Sequence, residues 1–182
     1  MEQRSEEWHS ARIGKVTASK IADVMAKGKS GAPSITRNSY KTQLLCERLT
    51  GLKTEGYINA EMQRGIDQEE NARNAYEYLN NANIELIGFV DHPSILMSGA
   101  SPDGLIGNDG LVEFKCPKSH THLETIMTKE VDGKYIKQMQ WQMACTNRQW
   151  CDSASYDPRM PPNLQLVVKR INRDDAMIAD IE

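Results

Sequence analysis

The sequence predicts an α/β or α+β domain in which a central mixed β-sheet is flanked by helices. Three observations carry this: a long helical periodicity over residues 59–81, a block of short apolar strands starting at Ile84, and further helical patterns before and after the last strands. Helices that bracket one strand block bury their apolar faces on the sheet it forms. A chain of 182 residues supports one well-formed core and is short for two, so residues 1–182 read as a single domain.

Taken in order, Trp8 to Gly14 reads as a short helix, and Thr17 or Ser19 stands where it can cap a second one carrying Ile21, Val24 and Met25. Residues 27–38, KGKSGAPSITRN, combine Gly28, Gly31 and Pro33 with basic residues and no apolar period, so they read as a loop. A helix from Ser39 to about Thr50 follows. Over 59–81, Met62, Ile66, Glu69, Arg73 and Tyr76 step by four and three without a proline, which places Glu69 on an inward stripe. An inward carboxylate requires a cation or a hydrogen-bond partner. Two readings stay open for Glu69: a ligand to a cation, or an ion pair with Arg73 on the same face. From Ile84 the pattern turns to strands, IELIGFV, ILMSGAS and LVEFK, separated by turn residues. A helix from about Asp132 to Cys145, a strand near Asp152–Tyr156, a strand over 165–171 and the start of a helix at Asp174 complete the order.

Composition narrows the function classes. Hydrophobic residues at 39% and charged residues at 26% are ordinary for a soluble domain, and no run approaches the roughly 18 apolar residues of a membrane span. The opening MEQRSEEWHSARIG carries charges where a signal peptide needs an apolar stretch, so a cytoplasmic protein is expected. Cys46, Cys116, Cys145 and Cys151 form no CxxC pair, which excludes a signalled zinc or iron-sulfur site and leaves free thiols. A net charge of −3 argues against coating nucleic acid through bulk charge, so any DNA contact is a local basic patch.

The chemistry concentrates between residues 101 and 115. In Ser101-Pro102-Asp103-Gly104, proline and glycine occupy the second and fourth positions of a type I turn, with Asp103 at its mouth. A second turn, Gly107 to Gly110, brings the chain back into LVEFK, where alternation puts Glu113 and Lys115 on one side and Val112 and Phe114 on the other. If the turns bracket a hairpin, Asp103 comes beside Glu113. Two carboxylates and the Phe114 backbone carbonyl are hard oxygen donors suited to Mg²⁺ or Mn²⁺. Such a cation polarises a phosphodiester and acidifies a bound water, which Lys115 is placed to orient. The bland alternative is an exposed strand with an ordinary Glu/Lys pair; the apolar surroundings, the ten-residue spacing and an inward Glu69 weigh against it.

With Pro102-Asp103 and Glu113-Phe114-Lys115 in these places, the sequence resembles the PD-(D/E)xK nuclease superfamily, with its restriction-endonuclease-like core. SPDGL at 101–105, EFKCP at 113–117, RGIDQEENAR at 64–73, ARIGKVTAS at 11–19, YIKQMQW at 135–141 and YDPRM at 156–160 together look like the phage lambda exonuclease family, or YqaJ-type viral recombinases. The resemblance implies a Mg²⁺-dependent 5′→3′ exonuclease that digests one strand of linear double-stranded DNA and leaves 3′ single-stranded overhangs for phage recombination. It also implies a ring-shaped homotrimer, a single-strand annealing protein as partner, and a phage or prophage protein in a bacterial host. By position, Asp103, Glu113 and the Phe114 carbonyl would bind metal, Glu69 would complete the metal environment, and Lys115 would serve the nucleophilic water. Arg12, Ser19, Ser101 and Gln138 would hold the 5′-phosphate, for which guanidinium, hydroxyl and amide groups are apt. Without the resemblance, Arg12 reads as solvated or ion-paired, Ser19 as a helix-start residue and Gln138 as a polar residue on an exposed face.

Tyr135 and Trp141 read as packing residues, and Asp157 with Arg159 as a turn ion pair or an intermolecular contact. The resembling enzymes continue through a C-terminal helix of which DDAMIADIE looks like the beginning. Two alternatives stand beside the exonuclease: a structure-specific endonuclease or junction resolvase on the same fold, and a non-catalytic DNA-end binding protein. Dependence on a DNA end separates the first, and retention of Asp103, Glu113 and Lys115 speaks against the second.

Overall fold

The computed structural model describes residues 1–29, 31–54, 56 and 59–182. The chain runs through α1 (Glu6–Arg12), β1 (Val16–Thr17), a 3₁₀ turn (Ala18–Lys20), α2 (Ile21–Met25), α3 (Ile35–Thr50) and α4 (Ala60–Asn80). The strands β2 (Ile84–Glu85), β3 (Val90–Asp91), β4 (Ser98–Ala100), β5 (Gly104–Ile106) and β6 (Gly110–Lys115) follow. The remainder is α5 (Ser119–Thr128), α6 (Gly133–Thr146), β7 (Trp150–Tyr156), a 3₁₀ turn (Pro162–Leu164), β8 (Leu166–Asn172) and α7 (Asp175–Ile181). Side chains of Ser5, Ser34, Asn59, Asp132 and Asp174 cap α1, α3, α4, α6 and α7 by accepting from backbone N–H groups in their first turns.

The main sheet has the order β2-β5-β6-β7-β8, with β6 and β7 parallel and the other neighbours antiparallel. This is the expected mixed sheet between helices. Parallel neighbours need a crossover, and α5 and α6 supply it. On one face, Val112 and Phe114 of β6 pack with Ala72 and Tyr76 of α4; on the other, Leu111 packs with Met139 and Met143 of α6. Burial on both faces explains why β6 is apolar at most positions. A smaller sheet, β1-β4-β3, joins α2, α6 and α7 through Ala18, Ile21, Ala100, Trp141 and Ile181. Trp141 is a packing residue, stacked on His92 at 4.5 Å. Among the described residues no helix is long and apolar enough to cross a membrane. The four cysteines are free thiols.

Several local expectations are corrected. Residues 35–38 are helical, because Ser34 starts α3 one turn early; Ser30 of the expected loop lies outside the described residues. Thr17 and Ser19 cap nothing: α2 begins after Lys20 without a side-chain cap. IELIGFV is not one strand. Its ends pair in different sheets, β2 with β5 and β3 with β4, and Gly88 between them lies so close to the N-terminus that a Cβ would meet the Met1 carbonyl at 2.6 Å. Helix α5 was not foreseen. It docks through His122, fully buried, whose ring nitrogens bond Ser155 Oγ and the Leu164 carbonyl, both at 2.8 Å. The α4 core face is centred on Ala72 and Tyr76, while Met62 is exposed.

Candidate active site

The antiparallel register pairs Gly104 with Val112, so Asp103, one residue before β5, falls opposite Glu113. Packing as well as turn chemistry demands Gly104: a Cβ there would meet Ile84 Cγ2 at 2.2 Å. The Phe114 N–H donates to Asp103 Oδ2 at 2.7 Å. Because N–H and C=O of one strand residue point the same way, the Phe114 carbonyl also turns toward Asp103. The return turn carries Gly107 at φ +52°, a left-handed conformation that favours glycine.

Glu113 and Lys115 share the face of β6 that meets α6, as alternation requires. Glu113 is 3% exposed and fully engaged. Its Oε1 accepts from Lys115 Nζ at 2.7 Å and from Gln138 Nε2 at 2.6 Å, while Oε2 accepts from Gln142 Nε2 at 2.6 Å. Gln138 and Gln142 lie one turn apart on α6, which aims both amides at the same carboxylate. Lys115 also lies 4.6 Å from the Tyr135 ring centroid. Burial disfavours its charge, but Glu113 and Asp103 outweigh that and hold its pKa above the ordinary lysine value. Asp103 is instead pushed toward its neutral form. Burial at the floor of the cleft, then the charges of Glu113 and Glu69, raise its pKa well above the usual carboxylate range, with Lys115 and the Phe114 N–H offsetting only part.

Arg12, Ser19, Ser101 and Gln138 line one cleft together with Asp103, Glu113 and Lys115. Ser101 Oγ accepts from Trp8 Nε1 at 2.9 Å and from Arg12 Nη1 at 3.0 Å. The Arg12 guanidinium lies over the Trp8 ring, 4.0 Å from its centroid. Burial lowers its pKa below the usual guanidinium value, and among the described residues no carboxylate pairs with it. A partly desolvated guanidinium without a carboxylate has the chemistry to accept an anion. Ser19 Oγ stands 3.4 Å from Thr17 Oγ1. Arg12 is therefore not a surface ion pair, Ser19 is not a cap, and Gln138 is buried rather than on an exposed face.

Glu69 is half-buried and pairs with Arg4, not with Arg73. Among the described residues no three His, Cys, Asp or Glu side chains converge to cage a metal. The groups placed to offer oxygen to a cation are Asp103, Glu113 and the Phe114 carbonyl, and Glu69 is near enough for its charge to raise the pKa of Asp103. Two mutually repelling carboxylates at a cleft floor, one of them with a raised pKa, fit a hard divalent cation that keeps several waters.

Sequence reasoning missed Trp8, Arg4 and Gln142, although the i+4 spacing from Gln138 was a usable signal for the last. It also missed Arg64, whose Nη2 donates to the Cys116 and Pro117 carbonyls at 2.9 and 2.5 Å and so ties α4 to the end of β6. Asp157 and Arg159 form a turn pair: the buried Asp157 accepts from Arg159 Nε at 2.8 Å.

The family described as YqaJ-like viral recombinase domain matches residues 7–149. Among solved structures, an alkaline exonuclease (LHK-Exo) from Laribacter hongkongensis is 51% identical, with a TM-score of 0.90 over 97% of this chain and 87% of that one. LHK-Exo in complex with dAMP gives a TM-score of 0.91 at the same identity and coverage. A phage-related exonuclease from Haemophilus somnus 129PT shares the fold at 16% identity, with a TM-score of 0.74 over 92% of this chain and 88% of that one. No curated protein matches the chain.

Proposed function

The chain belongs to the YqaJ-like viral recombinase domain family, and from that premise we propose that it is a metal-dependent 5′→3′ exonuclease acting on the ends of double-stranded DNA. The observation that carries this reading is one cleft lined both by Asp103, Glu113 and Lys115 and by Arg12, Ser19, Ser101 and Gln138, whose guanidinium, hydroxyl and amide groups suit a phosphate. A relative 51% identical to this chain was solved with dAMP, which supports a site that handles one nucleotide at a time.

Asp103, Glu113 and the Phe114 carbonyl would hold Mg²⁺ or Mn²⁺, which when bound polarises the scissile phosphate and acidifies a water. Lys115 Nζ positions the nucleophilic water and offsets charge growing on the phosphoryl oxygens. The water oxygen bonds to phosphorus and the bond to the 3′-oxygen of the terminal nucleotide breaks. That oxygen leaves with a proton, and the shortened strand keeps a 5′-phosphate. Arg12 and Ser101, preset by Trp8, bind the terminal phosphate with Ser19 and Gln138 and fix which linkage reaches the carboxylates. The family resemblance extends the proposal to residues 1–182 as one nuclease domain, a homotrimer, 3′ overhangs, a single-strand annealing partner and a bacterial cytoplasm. With a net charge of −3, DNA must be met by a local basic surface.

The test is digestion of linear duplexes bearing a 5′-phosphate or a 5′-hydroxyl and labelled at either terminus. The 5′ label should leave first, and phosphorylated ends should be digested faster by about tenfold or more, the worth of one charge-assisted hydrogen bond. Earlier release of the 3′ label, or equal rates for the two ends, would refute the reading.

A further inference from the structure

Three donors already engage Glu113, and the oxygen reached by its cleft-lining neighbours Lys115 and Gln138 has both acceptor directions taken. Its Oε1 already accepts two donors, Lys115 Nζ at 2.7 Å and Gln138 Nε2 at 2.6 Å, which fill the in-plane acceptor directions of a carboxylate oxygen. Its Oε2 accepts from Gln142, which is fully buried and whose own Oε1 has no partner among the described residues. In so dry a place the Gln142 amide has no alternative acceptor, so Oε2 stays held. Oε1 is the exchangeable oxygen. Of its two donors, Gln138 lines the cleft together with Arg12 and Ser101, where a terminal phosphate would offer it a replacement acceptor.

We infer that Gln138 couples end recognition to metal binding: its amide holds Glu113 Oε1 in the free protein and passes to the terminal 5′-phosphate when a DNA end fills the cleft, which opens Oε1 to a divalent cation. Gln142 is the positioning residue that keeps Glu113 in place during the exchange. The inference rests on the proposed phosphate pocket. Its consequence is reciprocal linkage: a phosphorylated end tightens cation binding, and the cation tightens binding of the phosphorylated end by the same factor.

The test uses the full chain and a duplex whose first linkage is non-hydrolysable, with Mn²⁺ binding read by electron paramagnetic resonance and duplex binding by fluorescence anisotropy. With saturating 5′-phosphorylated duplex, Mn²⁺ should bind about tenfold tighter than with the 5′-hydroxyl duplex, within the usual range of coupling between sites. Gln138→Leu separates the exchange from plain attraction between phosphate and cation. In that variant Mn²⁺ should bind more tightly than to wild type without DNA, and the terminal phosphate should no longer change its affinity. A phosphate effect undiminished in Gln138→Leu would overturn the coupling. So would wild-type Mn²⁺ affinity that ignores the terminal phosphate, a measurement needing no variant. If the two wild-type duplexes also bind equally by anisotropy, the phosphate pocket itself fails; if they differ while Mn²⁺ affinity does not, the coupling alone fails.

Discussion

Lys115→Ala is expected to slow DNA digestion on the order of a hundred- to a thousandfold, the usual loss when one preorganised charge-stabilising donor is removed, while duplex affinity stays within a few-fold of wild type. The separation follows from what surrounds the lysine. After truncation, Glu113 still accepts from Gln138 and Gln142, so the carboxylate remains hydrogen-bonded and the hairpin keeps its register. Arg12 and Ser101 bond each other independently of Lys115, so the end of the cleft proposed to hold the phosphate persists. What disappears is the ammonium beside the reacting centre. Single-turnover digestion and anisotropy check the two halves, and undiminished cleavage would remove Lys115 from the mechanism.

Asp103→Asn should abolish metal-dependent digestion and yet stabilise the metal-free protein. The sign follows from linkage. The folded-state pKa of Asp103 is raised above its unfolded value by burial and by Glu113 and Glu69, so between those two values the folded state binds more protons than the unfolded one. Stability from this group is therefore complete below the unfolded pKa, declines as pH rises through the window, and is at its lowest above the folded pKa. A neutral amide escapes that decline. Its Tm at neutral pH should rise by roughly 2–4 °C for each kcal/mol of strain relieved. Mg²⁺ should raise the Tm of wild type and not of the variant. For the same reason the cation competes with a proton, and its affinity should fall by up to about tenfold per pH unit on acidification through the raised pKa. Thermal scans with and without Mg²⁺ at several pH values test all three, and a destabilised metal-free Asp103→Asn would contradict the charge crowding.

The hairpin that brings Asp103 beside Glu113 was legible because its information is local. Alternation places Glu113 and Lys115 on one face, and the two turns set the register that brings Asp103 opposite Glu113. Illegible features depend on distant partners. Glu69 finds Arg4, 65 residues away in sequence, rather than Arg73 on its own helix. Gln142 reads as an ordinary polar residue until Glu113, 29 positions earlier, is folded against it. Helix α5 docks through a buried histidine while its apolar Leu123 and Met127 stay exposed, so apolar spacing gives no guide to its packing face. The break in IELIGFV is imposed by the N-terminal segment lying on Gly88, which no window over that segment contains. Arg12 with Ser19, Ser101 and Gln138 come from three separate stretches, so only family resemblance could join them before the fold did.

The central claim is that Asp103 and Glu113 bind a cation which serves hydrolysis at a DNA end. Its most direct measurement is a Mg²⁺ titration of digestion on linear and covalently closed forms of one duplex, with an arm in excess EDTA. The account predicts that the linear form is consumed only when Mg²⁺ is present and that the closed form stays intact throughout. Turnover in EDTA, or nicking of the closed circle at a rate comparable to digestion of the linear form, would contradict it.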